Sequence, residues 1–216
     1  MNRLIYLLSL VFTSFSEKVY CKWLKLFIKN KEFSIISNNC WGGGIYENLK
    51  LEYSSPTVGL FFYAPCYIQL LSNLEKNLKT EINFITISKY EDANRDRKNR
   101  NLTYPIGLLG DIEIHFLHFH SEKEAAEKWK RRAKRVKMDR LFIKFCDRDL
   151  CTDKEIQLFD ELPFESKVFF SAKKRNNIKS IVFLRDYRQE SFVGSLYDYP
   201  WSYRKQFNIV NWLNKK

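Results

Sequence analysis

The chain has 216 residues, 45% of them hydrophobic and 16% aromatic, and a formal net charge of +12. That length fits one domain with a modest appendage, and that apolar content excludes a disordered chain. Its five cysteines are odd in number and hold no CxxC, which argues against a disulfide scaffold and a zinc spacing, while the basic balance calls for an anionic partner.

The chain opens on an apolar run, residues 4–15, which is shorter than the roughly 20 residues that a membrane span needs. No small-x-small cleavage pattern follows it. Lys18, Lys22, Lys25 and Lys29 then alternate with Val19, Trp23, Leu24, Leu26 and Phe27. This is a basic amphipathic helix of the kind that suits a membrane interface. A helix packed on the domain and a cleaved signal or anchor are the other two readings of residues 1–32.

The body starts at Phe33. "FSIIS" and "TVGLFFY" (57–63) are β-branched or aromatic runs with strand character. Pro65 opens a helix in which Ile68, Leu71, Leu74 and Leu78 recur at helical spacing. "EINFITI" (81–87) predicts a strand, and the polar stretch 88–105 predicts a long surface loop. "GDIEIHFLHF" predicts a strand and residues 121–137 a helix, with Ser121 and Glu124 spaced as a capping box. "RLFIKFC" (140–146) predicts a strand, and a short helix follows with Thr152 as its cap. Two more strands, "KVFFSA" and "KSIVFL", precede a closing helix that carries Phe207, Val210 and Leu213 on one stripe. Strands alternating with helices predict a three-layer α/β/α domain with a mostly parallel or mixed sheet over residues 33–216.

Ligands of open α/β sheets sit beyond the carboxyl ends of the strands. Three predicted strand ends carry polar groups. Asn38, Asn39 and Cys40 follow the first, and Trp41, Gly42 and Gly43 come next. The glycines would allow positive φ and close approach of N–H groups to a substrate, and a cysteine at a helix start can have a lowered pKa. The plainer reading is a strand-to-helix turn. On the "GDIEIHFLH" strand, alternation puts Asp111, Glu113 and His115 on one face. They form either an oriented general base or the wet face of an edge strand. Asp147, Arg148 and Asp149 follow the strand ending at Cys146. They are read as a divalent-metal and phosphate site for a sugar nucleotide, or as a solvated turn.

The blocks "SNNCWGG", "SPTVGLFF", "PIGLLGDIEIHFLH" and "KFCDRD" occur in this order. Together they resemble a bacterial family of domains of unknown function, DUF1919, whose members are often labelled exopolysaccharide biosynthesis proteins. The likeness spans residues 33–213 and departs at Gly44, where a bulkier residue is expected. It implies a place in making cell-surface polysaccharide and carries over no catalytic residue. The Asn-Cys pair after the first strand also looks like the start of some acyltransferases that use coenzyme A.

The expectation is therefore a transferase of surface-polysaccharide synthesis, with acyl transfer from a coenzyme A thioester to a glycan or lipid-linked saccharide as its reaction. Cys40 and His115 are the expected reactive pair, Glu113 or Asp111 orients the histidine, and Asn38 or Asn39 faces the developing oxyanion. The alternatives are a glycosyltransferase using a divalent metal with a sugar nucleotide, and a non-catalytic accessory protein. Nucleic-acid binding is set aside, because the Lys/Arg run from Lys128 to Lys137 reads as the solvated face of a capped helix. The expected location is cytoplasmic, with peripheral contact at the inner membrane.

Overall fold

A computed structural model describes residues 16–215. In chain order the elements are α1 (16–27), β1 (Ser34–Ser37), α2 (Trp41–Leu49), α3 (Ala64–Ser72), α4 (Leu74–Lys79), β2 (Asn83–Ile85), α5 (Glu91–Asn99), β3 (Ile106–Leu109) and β4 (Ile112–His115). Then come α6 (Glu122–Ala133), β5 (Leu141–Cys146), α7 (Asp153–Glu161), β6 (Lys167–Ser171), β7 (Ile181–Phe183), α8 (Trp201–Arg204) and α9 (Ile209–Leu213). Among the described residues, no helix is long and apolar enough to cross a membrane. The apolar run 4–15 lies outside the described residues.

β1, β5, β6 and β7 form a parallel sheet in that order. A parallel sheet is covered on both faces, so its strands read as nearly continuous apolar runs. Alternation then sorts the side chains. Ile36, Ile143, Phe145 and Phe169 join one core with Tyr67 and Leu71 of α3, Trp129 of α6 and Phe159 of α7. Ile35, Phe142 and Phe170 join a second core with Leu24 of α1, Trp41 and Ile45 of α2 and Trp212 of α9. Burying each large apolar side chain is worth about 1.5–3 kcal/mol, so the two cores are the main cohesion of the fold. The three-layer arrangement expected from the strand–helix alternation is present.

The antiparallel sheet, order β2-β3-β4, was not foreseen. "IGLL" is β3, which falls between the predicted loop 88–105 and the predicted strand "GDIEIHFLHF" and belongs to neither. β3 turns into β4 through Gly110 and Asp111, with Gly110 at φ +61. Residues 91–99 are a helix and not loop: α5 buries only Ala93, so it lacks the apolar stripe that periodicity detects. Residues 57–63 are not a strand. Gly59 sits at φ +84, and only Phe61 makes a bridge, to His115. The helix after Pro65 breaks at Asn73 (φ −145, ψ 54), and the closing helix is two short pieces, α8 and α9.

The 61–62 segment joins the two sheets. Phe61 N–H donates to His115 O and His115 N–H donates to Phe61 O, both at 3.0 Å. The next residue, Phe62, donates its N–H to Asn38 O at 3.0 Å, just past β1. The exit of β4 and the exit of β1 are thereby held one residue apart.

Gly107 in β3 marks a close approach. A Cβ there would meet Ile82 Cγ2 at 2.5 Å and Phe116 Cε2 at 2.9 Å. Gly107→Ala should lower unfolding stability by about 1–3 kcal/mol in a urea titration, the cost of overpacking. Gly110→Asn, in open space at φ +61, should stay within about 0.5 kcal/mol, since Asn tolerates the left-handed region.

Candidate functional site

The exits of β1 and β5 are tied by a buried lysine. Lys144 points to the second core and has no exposure. Its Nζ donates to Asn38 Oδ1 at 3.0 Å, to Asn39 Oδ1 at 2.8 Å and to Cys146 Sγ at 3.4 Å. The two amide nitrogens turn back to the same sulfur, at 3.5 Å from Asn38 and 3.3 Å from Asn39. Burial pulls the Lys144 amine below its ordinary value, while Cys146 opposes that pull. None of its three partners is a carboxylate. Asn38 and Asn39 are therefore oriented by Lys144 and Cys146, and only Asn39 reaches the surface cleft.

The second cluster stands on β4. Glu113 and His115 are both fully buried. His115 Nε2 lies 2.8 Å from Glu113 Oε1, off the ideal line of a hydrogen bond. Ser88 Oγ donates to the same carboxylate oxygen, and Lys89 N–H donates to Oε2 at 2.9 Å. Burial pushes the Glu113 carboxyl up, but the close imidazole of His115 and the hydrogen bonds from Ser88 and the Lys89 amide outweigh it and hold the group below its usual range. On the other side of the ring, Nδ1 is 3.3 Å from Tyr104 OH. Phe61 stacks on the imidazole with centroids 4.5 Å apart. The wet-face reading of this strand is thus overturned. Asp111 is not part of the cluster: it is exposed in the β3–β4 turn, where its carbonyl accepts Lys89 Nζ at 2.6 Å.

A cleft of about 450 Å³ opens over both clusters. Phe61, Tyr63, Tyr104 and Tyr197 give it aromatic walls, Arg100 and Arg148 bring positive charge, and Asp96, Asp149 and Asp198 bring carboxyl groups. Among the described residues, Arg148 Nε is buried without a hydrogen-bond partner. Burial raises the Asp149 carboxyl above its ordinary value, against the pull of Arg148, Lys144 and His115. Asp149 is held at φ +58, and its carbonyl accepts the Ala64 N–H that starts α3, at 2.8 Å. A larger groove of about 680 Å³ lies between α4 and α6, away from the strand exits and from both clusters.

The expected aspartate pair does not converge. Asp147 Oδ2 accepts Ser171 Oγ at 2.9 Å and Ala172 N–H at 2.6 Å, and Oδ1 accepts Val193 N–H at 2.8 Å. Its carboxylate ties the β5 exit to the β6 exit and to residue 193, and Asp149 alone faces the cleft. Among the described residues, no group of three His, Cys, Asp or Glu side chains could hold a metal ion.

The glycine cradle is also corrected. Gly42 and Gly43 lie in the first turn of α2, without positive φ. They are small because the helix presses on its neighbours: a Cβ at Gly42 would meet Ile35 and Ser37 at 3.2 Å, and one at Gly43 would meet Val58 at 3.0 Å. Trp41 is a core residue, packed edge-on against Phe170 and Tyr203 with centroids 5.5 Å away. Cys40 caps α2 and borders the cleft, but burial pushes its thiol up to about 11, although Lys144 pulls the other way. It is not the activated thiolate that its place at a helix start suggested.

Sequence reasoning missed Lys144, Cys146, Ser88 and Tyr104. A signal existed for the first: a lysine inside the apolar strand "LFIKFC" is out of pattern and has to find partners. Tyr104 and Ser88 flank the stretch that was read as loop, and only the fold brings them to β4.

A family profile described as "Domain of unknown function (DUF1919)" matches residues 11–214. A relative from Haemophilus influenzae (strain ATCC 51907 / DSM 11121 / KW20 / Rd), called "Uncharacterized protein", is 37% identical over 191 residues. That match covers 87% of this chain and 86% of the relative.

At neutral pH, alkylation of Cys40 by iodoacetamide, followed by peptide mass spectrometry, should run about a hundredfold slower than that of a free cysteine, because the thiolate is scarce. The depressed Glu113 carboxyl stabilises the folded state above its unfolded value of 4.5, and that contribution is lost as pH falls through the folded value. Urea titrations across the acid range should show a shallower fall of stability with decreasing pH in Glu113→Gln than in the parent protein.

Proposed function

The chain belongs to the DUF1919 family, and on that footing we propose that it is a transferase of cell-surface glycan assembly that transfers an acyl group from a coenzyme A thioester to a glycan hydroxyl. The observation that carries the reading is the line Tyr104–His115–Glu113, which runs from the cleft wall into the interior. In this line Tyr104 takes the proton of the acceptor hydroxyl while its own proton passes to His115 Nδ1. Glu113, fixed by Ser88 and the Lys89 amide, stabilises the imidazolium that results. The thioester, when bound, supplies the activated acyl carbon; the new C–O bond forms as the C–S bond breaks and the thiolate leaves. Cys40 has no covalent role in this scheme. Arg148, with its unpartnered Nε, and Arg100 suit the donor phosphates, and the aromatic walls suit a sugar ring.

Transfer from a sugar nucleotide is the second reading. The same arginines and the stacking faces of Phe61 and Tyr63 favour it, and Asp149 is the one aspartate of the pair left to meet a metal.

Thermal unfolding of the whole chain with acetyl-coenzyme A, and with sugar nucleotides plus or minus manganese, separates the two. The acyl-transfer reading expects stabilisation by the coenzyme that Arg148→Gln loses. It also expects turnover to fall by about 10²–10⁴-fold in Tyr104→Phe, the usual worth of an acid–base group, and to survive in Cys40→Ala. A shift with a sugar nucleotide alone would replace acyl by glycosyl transfer, and no shift with either would overturn both.

A further inference from the structure

α1 has three faces. At 3.6 residues per turn, Tyr20, Leu24 and the following Ile28 line one side, and the latter two are buried in the second core. The helix is pinned there by Glu17, whose carboxylate meets Arg204 of α8 at 2.6 and 3.0 Å. Asn214 adds a second clasp: its Oδ1 accepts Lys29 N–H at 3.0 Å and its Nδ2 donates to Phe27 O at 2.7 Å.

Among the described residues, nothing covers the other two faces. Val19, Trp23, Leu26 and Phe27 form an apolar stripe, with Leu26 77% and Phe27 49% exposed. Lys18, Lys22 and Lys25 form a column beside it, and Lys29 follows just past the helix end. The single acid of the helix is Glu17, and it is turned inward to Arg204. Among the described residues, the outward surface of the helix therefore carries apolar groups and positive charge and no negative charge.

We propose that this outer surface of α1 docks the protein peripherally on an anionic lipid bilayer. The charge pattern selects this occupant. A bilayer offers phosphates at the headgroup level and hydrocarbon a few ångströms below, and only such a surface satisfies a lysine column and an adjacent apolar stripe together. Neither signal suffices alone for stable membrane binding, and here both lie on one helix.

A neighbouring segment extends the argument. Tyr199 and Trp201 are exposed, with ring centroids 5.5 Å apart, in the stretch that leads into α8 and so to Arg204. Exposed Trp and Tyr favour the headgroup level. Tyr197 and Asp198 of the same stretch are on the rim of the cleft. Docking through α1 would bring that rim toward the headgroups, which makes a lipid-linked saccharide the acceptor class. This last clause rests on the transferase reading; the docking itself does not.

The test is co-sedimentation of the full chain with vesicles of phosphatidylcholine mixed with phosphatidylglycerol, against vesicles of phosphatidylcholine alone. Binding is expected to the anionic vesicles and to weaken with added salt. Lys18→Gln with Lys22→Gln should cut the partition about twenty-five-fold, fivefold per charge. Leu26→Ser with Phe27→Ser should abolish it. All four side chains are at least partly exposed on the outer faces, so both variants should unfold at the parent temperature and keep the parent's response to the donor ligands. Absence of binding to anionic vesicles would overturn the proposal. So would binding that both variants retain, which would assign it to another part of the chain. A concentration-dependent dimer that only Leu26→Ser with Phe27→Ser dissolves would give the face to a second copy and equally overturn it.

Discussion

A lysine amine with no access to water sits on β5 beside the exit of the edge strand β1, and the surrounding architecture has to accommodate it. Taking such a polar group out of water without partners costs several kcal/mol. Lys144 recovers this from two amide oxygens and a thiol, supplied by Asn38, Asn39 and Cys146. Because those acceptors come from both β1 and β5, the interaction also sets how the two strand exits face each other. Tyr67 of α3 reinforces the same junction by donating its hydroxyl to Ile36 O and Lys144 O, both at 2.9 Å. The position just beyond parallel strands, where a chain leaves the sheet, is where α/β proteins place ligands. Here it is a rigid, polar and fully partnered floor.

The wall of the cleft follows from a second buried group of opposite tendency. Glu113 enters the interior with a carboxylate, and His115, Ser88 and the Lys89 amide satisfy it. The two clusters would be unrelated if the sheets were independent. They are adjacent because Phe61 pairs with His115 and Phe62 pairs with Asn38, so two consecutive residues carry the coupling from one sheet to the other. This explains why "TVGLFFY" looks like a strand while forming only one bridge. Its aromatic residues serve the junction and the imidazole stack, and Gly59 bends the chain before a ladder can grow.

Tight packing, not ligand contact, accounts for the tryptophan and glycines after Cys40. α2 lies so close to β1 and to Val58 that a methyl group at Gly42 or Gly43 would press on Ile35, Ser37 or Val58. Trp41 fills the space beyond, among Phe170, Tyr203 and Trp212. The closeness has a consequence for the cleft: it holds Cys40 and Asn39 at the rim while denying the thiol the solvation that would ionise it.

Alternation and apolar runs were enough to specify the parallel strands: β1, β5 and β6 are buried on both faces and write that burial into their composition, and the half-buried edge strand β7 still carries a β-branched and aromatic run. The start of α6 was equally legible, since Ser121 accepts the Glu124 N–H as its spacing predicts. So was the pairing of Glu113 with His115, which needs only that two residues apart on a strand point the same way. α5 and β3 were not legible. α5 buries one alanine, and β3 is four residues long with a glycine inside it, so neither carries a periodic signal. The roles of Asp147, Cys40 and Trp41 were also hidden, because local spacing says which groups lie near a strand end and not which way they face. Lys144, Tyr104 and Ser88 join the site through contacts far apart in the chain. Burial and neighbours assign each charged group its partner, and those are properties of the assembled sheets, not of any stretch of sequence.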